Sequence, residues 1–360
     1  MTAVRSLTRQ LLCCAFALGG LVAADPPEDP SEPTLLPVST GDYNGPDDGN
    51  FTMGDLDESD DIGASDELPA HGVTLSAFQL SNEITRVQLV EALQWAHART
   101  DATQIEVDDL DGDGLDEVCF ADDGEKHILV DDLGEPGGDE PPSGITWDAT
   151  NEQFAVYSGI GPDLPAVQVT WYGAMAYCRI MNKALGKGDG VVIDFDVTDG
   201  DGNALPQKWE IRVDSTGYRL PTEAEWECAA MGEDIHGSGG GSGRLFPTGS
   251  EVPAAGEVNF SYYESGLWDQ TPATESNGLS NMAGNVWEWC YDWYGIYPAG
   301  HVDGVADPSG LVLGPKYGYR RVLRGGSFKR RVWDIRCKAR HSAQPEVSSE
   351  SIGFRVAVGQ

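Results

Sequence analysis

Three stretches of the chain repeat apolar residues at the three-and-four spacing of a buried helix face, and each opens with a threonine placed to cap it. In residues 84–99, ITRVQLVEALQWAHAR, Thr85 and Gln88 have the spacing of a capping box, and Leu89, Ala92, Leu93 and Ala96 form one stripe. In 170–186, TWYGAMAYCRIMNKALG, Thr170 is the cap, Ala174, Tyr177, Cys178, Met181 and Leu185 face inward, and Gly186 stops the helix. In 220–232, LPTEAEWECAAMG, Thr222 and Glu225 make a second capping box, with Gly232 past the end. Elsewhere apolar runs are short and broken by Gly, Pro and Asp, which predicts irregular loops and short strands rather than a parallel βαβ sheet. Trp287 and Trp289 alternate with Glu288, the pattern of a strand with one face buried. The Gly325-Gly326 pair predicts a tight turn before a strand. No internal repeat of 20–50 residues is visible.

The two ends of this pattern set the domain boundaries. Arg5 and Arg9, the apolar run from Leu11 to Val22 and the small residues Val22-Ala23-Ala24 read as a secretory signal, residues 1–24, cleaved after Ala24. The run is too short to span a bilayer, and no later segment is long and apolar enough. Residues 25–40, DPPEDPSEPTLLPVST, read as an acidic, Pro-rich linker, and 41–360 as one domain with an acidic insertion at about 101–144.

Charge narrows the partners. The net charge is −36 from 23 Lys+Arg and 59 Asp+Glu, and removing residues 1–24, with two arginines and no acids, makes it −38. Such a surface repels nucleic acid, which excludes that partner class, and anionic membranes. Solubility alone accounts for much of the charge. The expected localisation is exported: periplasmic, cell-surface or secreted. Five cysteines follow the signal, namely Cys119, Cys178, Cys228, Cys290 and Cys337, none in a CxxC, and the six histidines are scattered. A zinc or non-haem iron site therefore has little support. The GSGGGSG loop, 237–243, lacks a lysine and is not a phosphate cradle. In DLDGDGLDE, 109–117, Asp109, Asp111, Asp113 and Glu117 have the spacing that wraps a cation in one turn, although Phe120 stands where an EF-hand has glutamate. The alternative is an acidic surface turn.

Read in order, five phrases give the chain its resemblance: PAVQVTWYGAMAYC, GYRLPTEAEWE, NMAGNVWEW, RVLRGGSF and IGFRV. Before them come FTMG, ELPAHGVTL and NEITRVQ, the last with Arg86 where asparagine is usual. Together they resemble the formylglycine-generating (sulfatase-modifying factor) family over nearly the whole mature chain. The resemblance implies an α+β class, an irregular fold related to C-type lectins with little regular secondary structure. In active members it implies two cysteines after the GGS segment that hold copper(I) and oxidise a sulfatase cysteine to formylglycine. Copper(I) needs soft thiolates. Here Arg330 stands at the first position, and the second falls in a shortened stretch, Val332–Asp334, without cysteine. No catalytic residue is therefore assigned, and copper is not expected.

The resemblance also implies calcium. The family's ligands near NMAGNVWEW match Asn281, Glu288 and the carbonyls of Gly284 and Val286, an oxygen set suited to a hard cation. The alternative is that Asn281 and Glu288 close turns. A second family site matches Asn259 and the Phe260 carbonyl, completed by Glu264 or Asp269. Cys337 matches a structural, disulfide-bonded family cysteine whose partner aligns near Ala230, two residues from Cys228; it is expected in a disulfide with Cys290 or Cys228.

Three functions follow. One is a calcium-stabilised binding or structural module for a protein, peptide or glycan, with Lys329, Arg330, Arg331 and Arg336 as a basic island. Another is an enzyme with residual cysteine oxidation or a related oxidation. The third is a ligand-display protein with a variable C-terminal segment.

Overall fold

The computed structural model describes residues 28–38, 51–55, 65–99, 105–108, 116–122, 125–138, 141–194, 208–232, 244–253, 257–260, 278–297 and 320–360. Among the described residues the threonine caps define three helices. α1 (Arg86–His97) and α3 (Glu223–Met231) each close a full capping box, at Thr85 with Gln88 and at Thr222 with Glu225. Helix α2 (Trp171–Ala184) starts where the Thr170 hydroxyl accepts the Gly173 N–H, and Gly186 at φ +61° lies just past its end.

Around them lie short strands: β1 (Leu35–Val38), β2 (Phe51–Met53), β3 (His71–Val73), β4 (Phe78–Ser81), β5 (Ile105–Asp108), β6 (Asp116–Asp122), β7 (Glu125–Leu133), β8 (Ile145–Asp148), β9 (Gln153–Val156), β10 (Val191–Asp194), β11 (Lys208–Ile211), β12 (Trp287–Trp293), β13 (Arg321–Arg324), β14 (His341–Ala343), β15 (Ile352–Gly353) and β16 (Ala357–Gly359). They form small separate sheets. Among the described residues the largest has the order β14-β13-β12-β15, and β1-β4-β16 joins the start of the domain to its end. This is an α+β fold of the irregular, C-type-lectin-like kind.

Several expectations need correction. The linker reading stops short of residue 40, because Leu35–Val38 pairs antiparallel with β4, from Leu35 opposite Ser81 to Val38 opposite Phe78. Alternating Leu36 and Val38 have a sheet to join there, which proline and acid content hide. The acidic stretch 101–144 supplies the antiparallel sheet β5-β6-β7, and Val118, Leu129, Val130 and Leu133 lie in the main core. Strand β7 meets α2 closely enough that a Cβ at Gly173 would sit 2.0 Å from the Leu129 carbonyl oxygen. Glycine is required there.

Strand β12 is buried on both faces, not one. It lies between β13 and β15, and Trp287, Glu288, Trp289 and Cys290 are all buried. The Gly325-Gly326 pair follows a strand rather than preceding one. Both glycines have positive φ, +91° and +78°, and a Cβ on Gly326 would lie 2.5 Å from Ile335 Cγ2.

Helix α3 is buried all round although three of its residues are acids. Each acid has an arginine partner: Glu225 with Arg219 at 2.6 and 2.7 Å, Glu223 with Arg340 at 2.6 and 2.8 Å, and Glu227 with Arg324. Removing one member of such a pair strands a buried charge, so these pairs tie the helix to specific segments.

Candidate functional site

The site is built where the loop 281–286 meets the turn after β13. The loop is shaped by residues in the left-handed region: Asn281 at φ +56°, Gly284 at +75° and Asn285 at +61°. Asparagine tolerates this conformation better than most residues. Gly284 N donates to Gly325 O at 2.7 Å, Asn285 N to Asn259 O at 2.8 Å, and Phe328 N to Asn285 O at 2.8 Å. The three segments are thereby laced together through the backbone.

Within this loop one carboxylate gathers the asparagines, and it is Glu83, from NEITRVQ. Its Oε2 accepts the Asn281 Nδ2 at 2.8 Å and the Asn285 Nδ2 at 2.7 Å, while Oε1 has no hydrogen-bond partner among the described residues. Burial pushes its pKa up to about 8, and the nearby Glu288 charge adds to the effect. Asn259 Nδ2 reaches Asn285 Oδ1 at 3.2 Å. Sequence reasoning read Glu83 only as part of a helix start. Its signal was an acid placed next to the buried Ile84 and just before the Thr85 cap.

Glu288 departs from its assigned role. It is fully buried, its Oε2 accepts Arg355 Nε at 2.5 Å and Trp226 Nε1 at 2.6 Å, and its Oε1 accepts Arg355 Nη2 at 2.5 Å. A guanidinium and an indole thus cover both oxygens, so Glu288 is a structural anion rather than a free ligand for a cation. Asn281, Gly284, Val286 and Asn259 do share one region, and Phe260 packs near Ala283 and Ile335. Glu264, Asp269, Asp109, Asp111 and Asp113 lie outside the described residues. Glu117 is buried in β6, opposite Asp108.

The stretch that the resemblance aligns with the family's copper cysteines, Arg330 to Asp334, follows Ser327. Arg330 N donates to Ser327 O at 2.8 Å, and a short 3-10 helix, Val332–Ile335, follows with Trp333 49% exposed. The Arg330 guanidinium lies 5.8 Å from the Trp287 ring centroid. His341 stacks on the same ring, centroids 5.1 Å apart and planes 26° from parallel. Burial lowers the His341 pKa, and the charges of Arg330 and Arg320 lower it further. No thiol stands here, and the residues present do not fit copper(I).

The expected disulfide is also absent among the described residues. All five cysteines are buried and none is joined in a disulfide, and the Cys337 thiol donates to the Ala230 carbonyl at 3.5 Å. The family partner position is an alanine, and Cys228 sits two residues, about 200°, around the helix. Burial pushes the Cys119 thiol up to about 12 and raises Cys178, Cys228 and Cys290 well above the ordinary range. The basic island shrinks as well. Arg336 is buried on Glu67 at 2.6 and 2.8 Å, and Lys329 pairs with Glu350.

The sequence profile of the sulfatase-modifying factor enzyme 1-like domain matches residues 47–359. The chain belongs to this family. It is 31% identical over 317 residues to the serine/threonine-protein kinase Pkn1 of Chlamydia trachomatis serovar L2, covering 86% of this chain and 37% of that protein. It is 32% identical over 216 residues to the formylglycine-generating enzyme of Streptomyces coelicolor, covering 54% of this chain and 53% of that enzyme. It therefore spans about a third of one relative and about half of the other. Treponema denticola variable protein 1 has a similar fold, with a TM-score of 0.55 at 21% identity, covering 92% of this chain and 96% of that one. No helix among the described residues is long and apolar enough to cross a membrane.

Proposed function

We propose that this chain is an exported binding or structural module on the sulfatase-modifying factor scaffold, stabilised by calcium and without the copper-dependent oxidation. The observation that carries the reading is Arg330 at the first copper position, with no cysteine between Ser327 and Cys337. A guanidinium holds its positive charge at every relevant pH and does not ligate copper(I). The five remaining thiols are buried and, where burial shifts them, hard to ionise, which opposes thiolate chemistry. Export rests on the apolar run and small-residue site that end at Ala24.

Calcium is supported by Glu83. The Oε1 of this buried carboxyl has no hydrogen-bond partner among the described residues, and a hard cation bound there would offset the burial that pushes its pKa up. Glu83, Asn281, Asn259 and the Gly284 and Val286 carbonyls would hold it. The ion would supply charge neutralisation and cross-link the three segments; it has no part in a reaction here. Metal analysis of the purified mature protein tests the whole reading. The expected result is calcium and no copper, and stoichiometric copper sinks it.

A further inference from the structure

Two buried hydrogen-bond donors beside the old copper position have no partner among the described residues: the Ser327 hydroxyl and the Trp287 indole N–H. Ser327 is 0% and Trp287 3% exposed, so solvent does not satisfy them freely. The two residues belong to adjacent segments. Glu288 lies opposite Arg324 in the β12–β13 ladder, and the Phe328 N–H reaches Asn285 O at 2.8 Å, which runs 285–288 alongside 324–328. The turn from Ser327 to Arg330 then carries a guanidinium back over the Trp287 ring. That guanidinium is exposed and makes no ion pair or hydrogen bond among the described residues. The nearby carboxylates are engaged elsewhere, Glu350 with Lys329 and Asp334 with the Arg331 N–H.

We propose that Arg330, Ser327 and Trp287 form a binding site for a single carboxylate presented by a peptide ligand; the inference rests on reading the chain as a binding module. All three groups are donors, and one is a permanently charged planar fork that matches a carboxylate in two-pronged geometry. Polyanions such as nucleic acids fit poorly, because the net charge of −36 repels them while one carboxylate can be drawn in locally. Trp333, 49% exposed on the adjoining 3-10 turn, gives the rest of a peptide an apolar surface. Its carbonyl accepts Arg336 Nε at 2.9 Å, and Arg336 is itself fixed on Glu67, so the turn is held from beneath.

The test uses the full mature chain, with ¹⁵N-labelled indole N–H signals read by NMR during peptide titration. The Trp287 signal is identified by its loss in Trp287→Phe. Two probes separate the source of the carboxylate: triglycine with a free C-terminus, and acetyl-Gly-Glu-Gly amide. Triglycine amide is the control. At least one carboxylate probe is expected to give a saturable Trp287 shift, and the control none. Arg330→Gln should weaken binding about tenfold or more, and Ser327→Ala about fivefold. Arg330 is exposed, so its variant is expected to keep the wild-type melting curve. No saturable shift with either carboxylate probe overturns the proposal, as does undiminished binding to Arg330→Gln or equal binding of the amide. Calcium and copper counts on the same samples report separately on the module reading.

Discussion

Arg355 holds Glu288 with two nitrogens inside the core, Nε to Oε2 and Nη2 to Oε1, both at 2.5 Å. Its third nitrogen donates to Ser81 O at 2.7 Å, so one side chain ties the C-terminal segment to β12 and β4. Trp226 of α3 closes the same carboxylate from its own side. Arg355→Met leaves the carboxylate buried without its partner and is expected to cost about 3–5 kcal/mol. The double variant Arg355→Met/Glu288→Leu should cost much less than the sum of the two single changes. Denaturant unfolding of the four proteins checks this, and strictly additive losses would refute the pairing.

Calcium stabilisation is expected to run through Glu83 rather than Glu288. A ligand that binds only the folded state at a hundredfold excess over Kd adds about 2.7 kcal/mol. A chelator should therefore lower the melting temperature. Glu83→Gln should abolish most of that sensitivity, whereas Glu288→Gln should destabilise the protein with and without chelator. A melting curve indifferent to chelation contradicts the site.

The chain is expected not to convert a sulfatase-type Cys-x-Pro-x-Arg peptide to formylglycine in the presence of copper and oxygen, because Arg330 replaces a thiolate. Mass spectrometry of the peptide decides the point. Appearance of the aldehyde mass, abolished in Cys337→Ser, would restore the enzymatic reading.

The five buried cysteines give a separate expectation. Peptide mapping without reduction should find all of them as thiols, and alkylation should be slow until the protein unfolds. A disulfide from Cys337 would show that the Ala230 carbonyl contact at 3.5 Å is not its settled partner.

The caps at Thr85, Thr170 and Thr222 were legible because a cap is a local contract between residues three apart. The family phrases fixed the fold for the same reason, each being a short segment with its own turn or helix end. Glu288 and Glu83 were not legible. Which buried carboxylate receives an arginine and which receives two asparagines depends on segments 67 residues apart for Glu288 and 198 for Glu83, and alternation along one strand carries no trace of it. The same holds for Arg336, which charge alone groups with Lys329 and Arg330 although Glu67 draws it inside. The strand at Leu35–Val38 was hidden by its proline-rich surroundings, since its reason to be extended is the pairing with β4.

Asp292 predicts a pH dependence with a definite sign. It lies in β12, buried against the start of α3, where its Oδ2 accepts the Glu223 N–H at 2.8 Å. Burial, and then the charge of Glu223, push its pKa up to about 8. In the unfolded chain an aspartate titrates near about 3.9. Between about pH 4 and pH 8 the folded state therefore binds more protons at this position than the unfolded one, and stability falls as pH rises. The slope reaches about 1.4 kcal/mol per pH unit while the group is protonated only in the folded state. Asp292→Asn keeps an acceptor for the Glu223 N–H and removes the titration. The variant should match the wild type near pH 4 and become progressively more stable than it toward pH 8. Melting curves of both proteins across this window, in one buffer series at fixed salt, measure the gap. A gap that stays constant with pH, or that widens toward acid, would show that Asp292 is ionised in the folded protein.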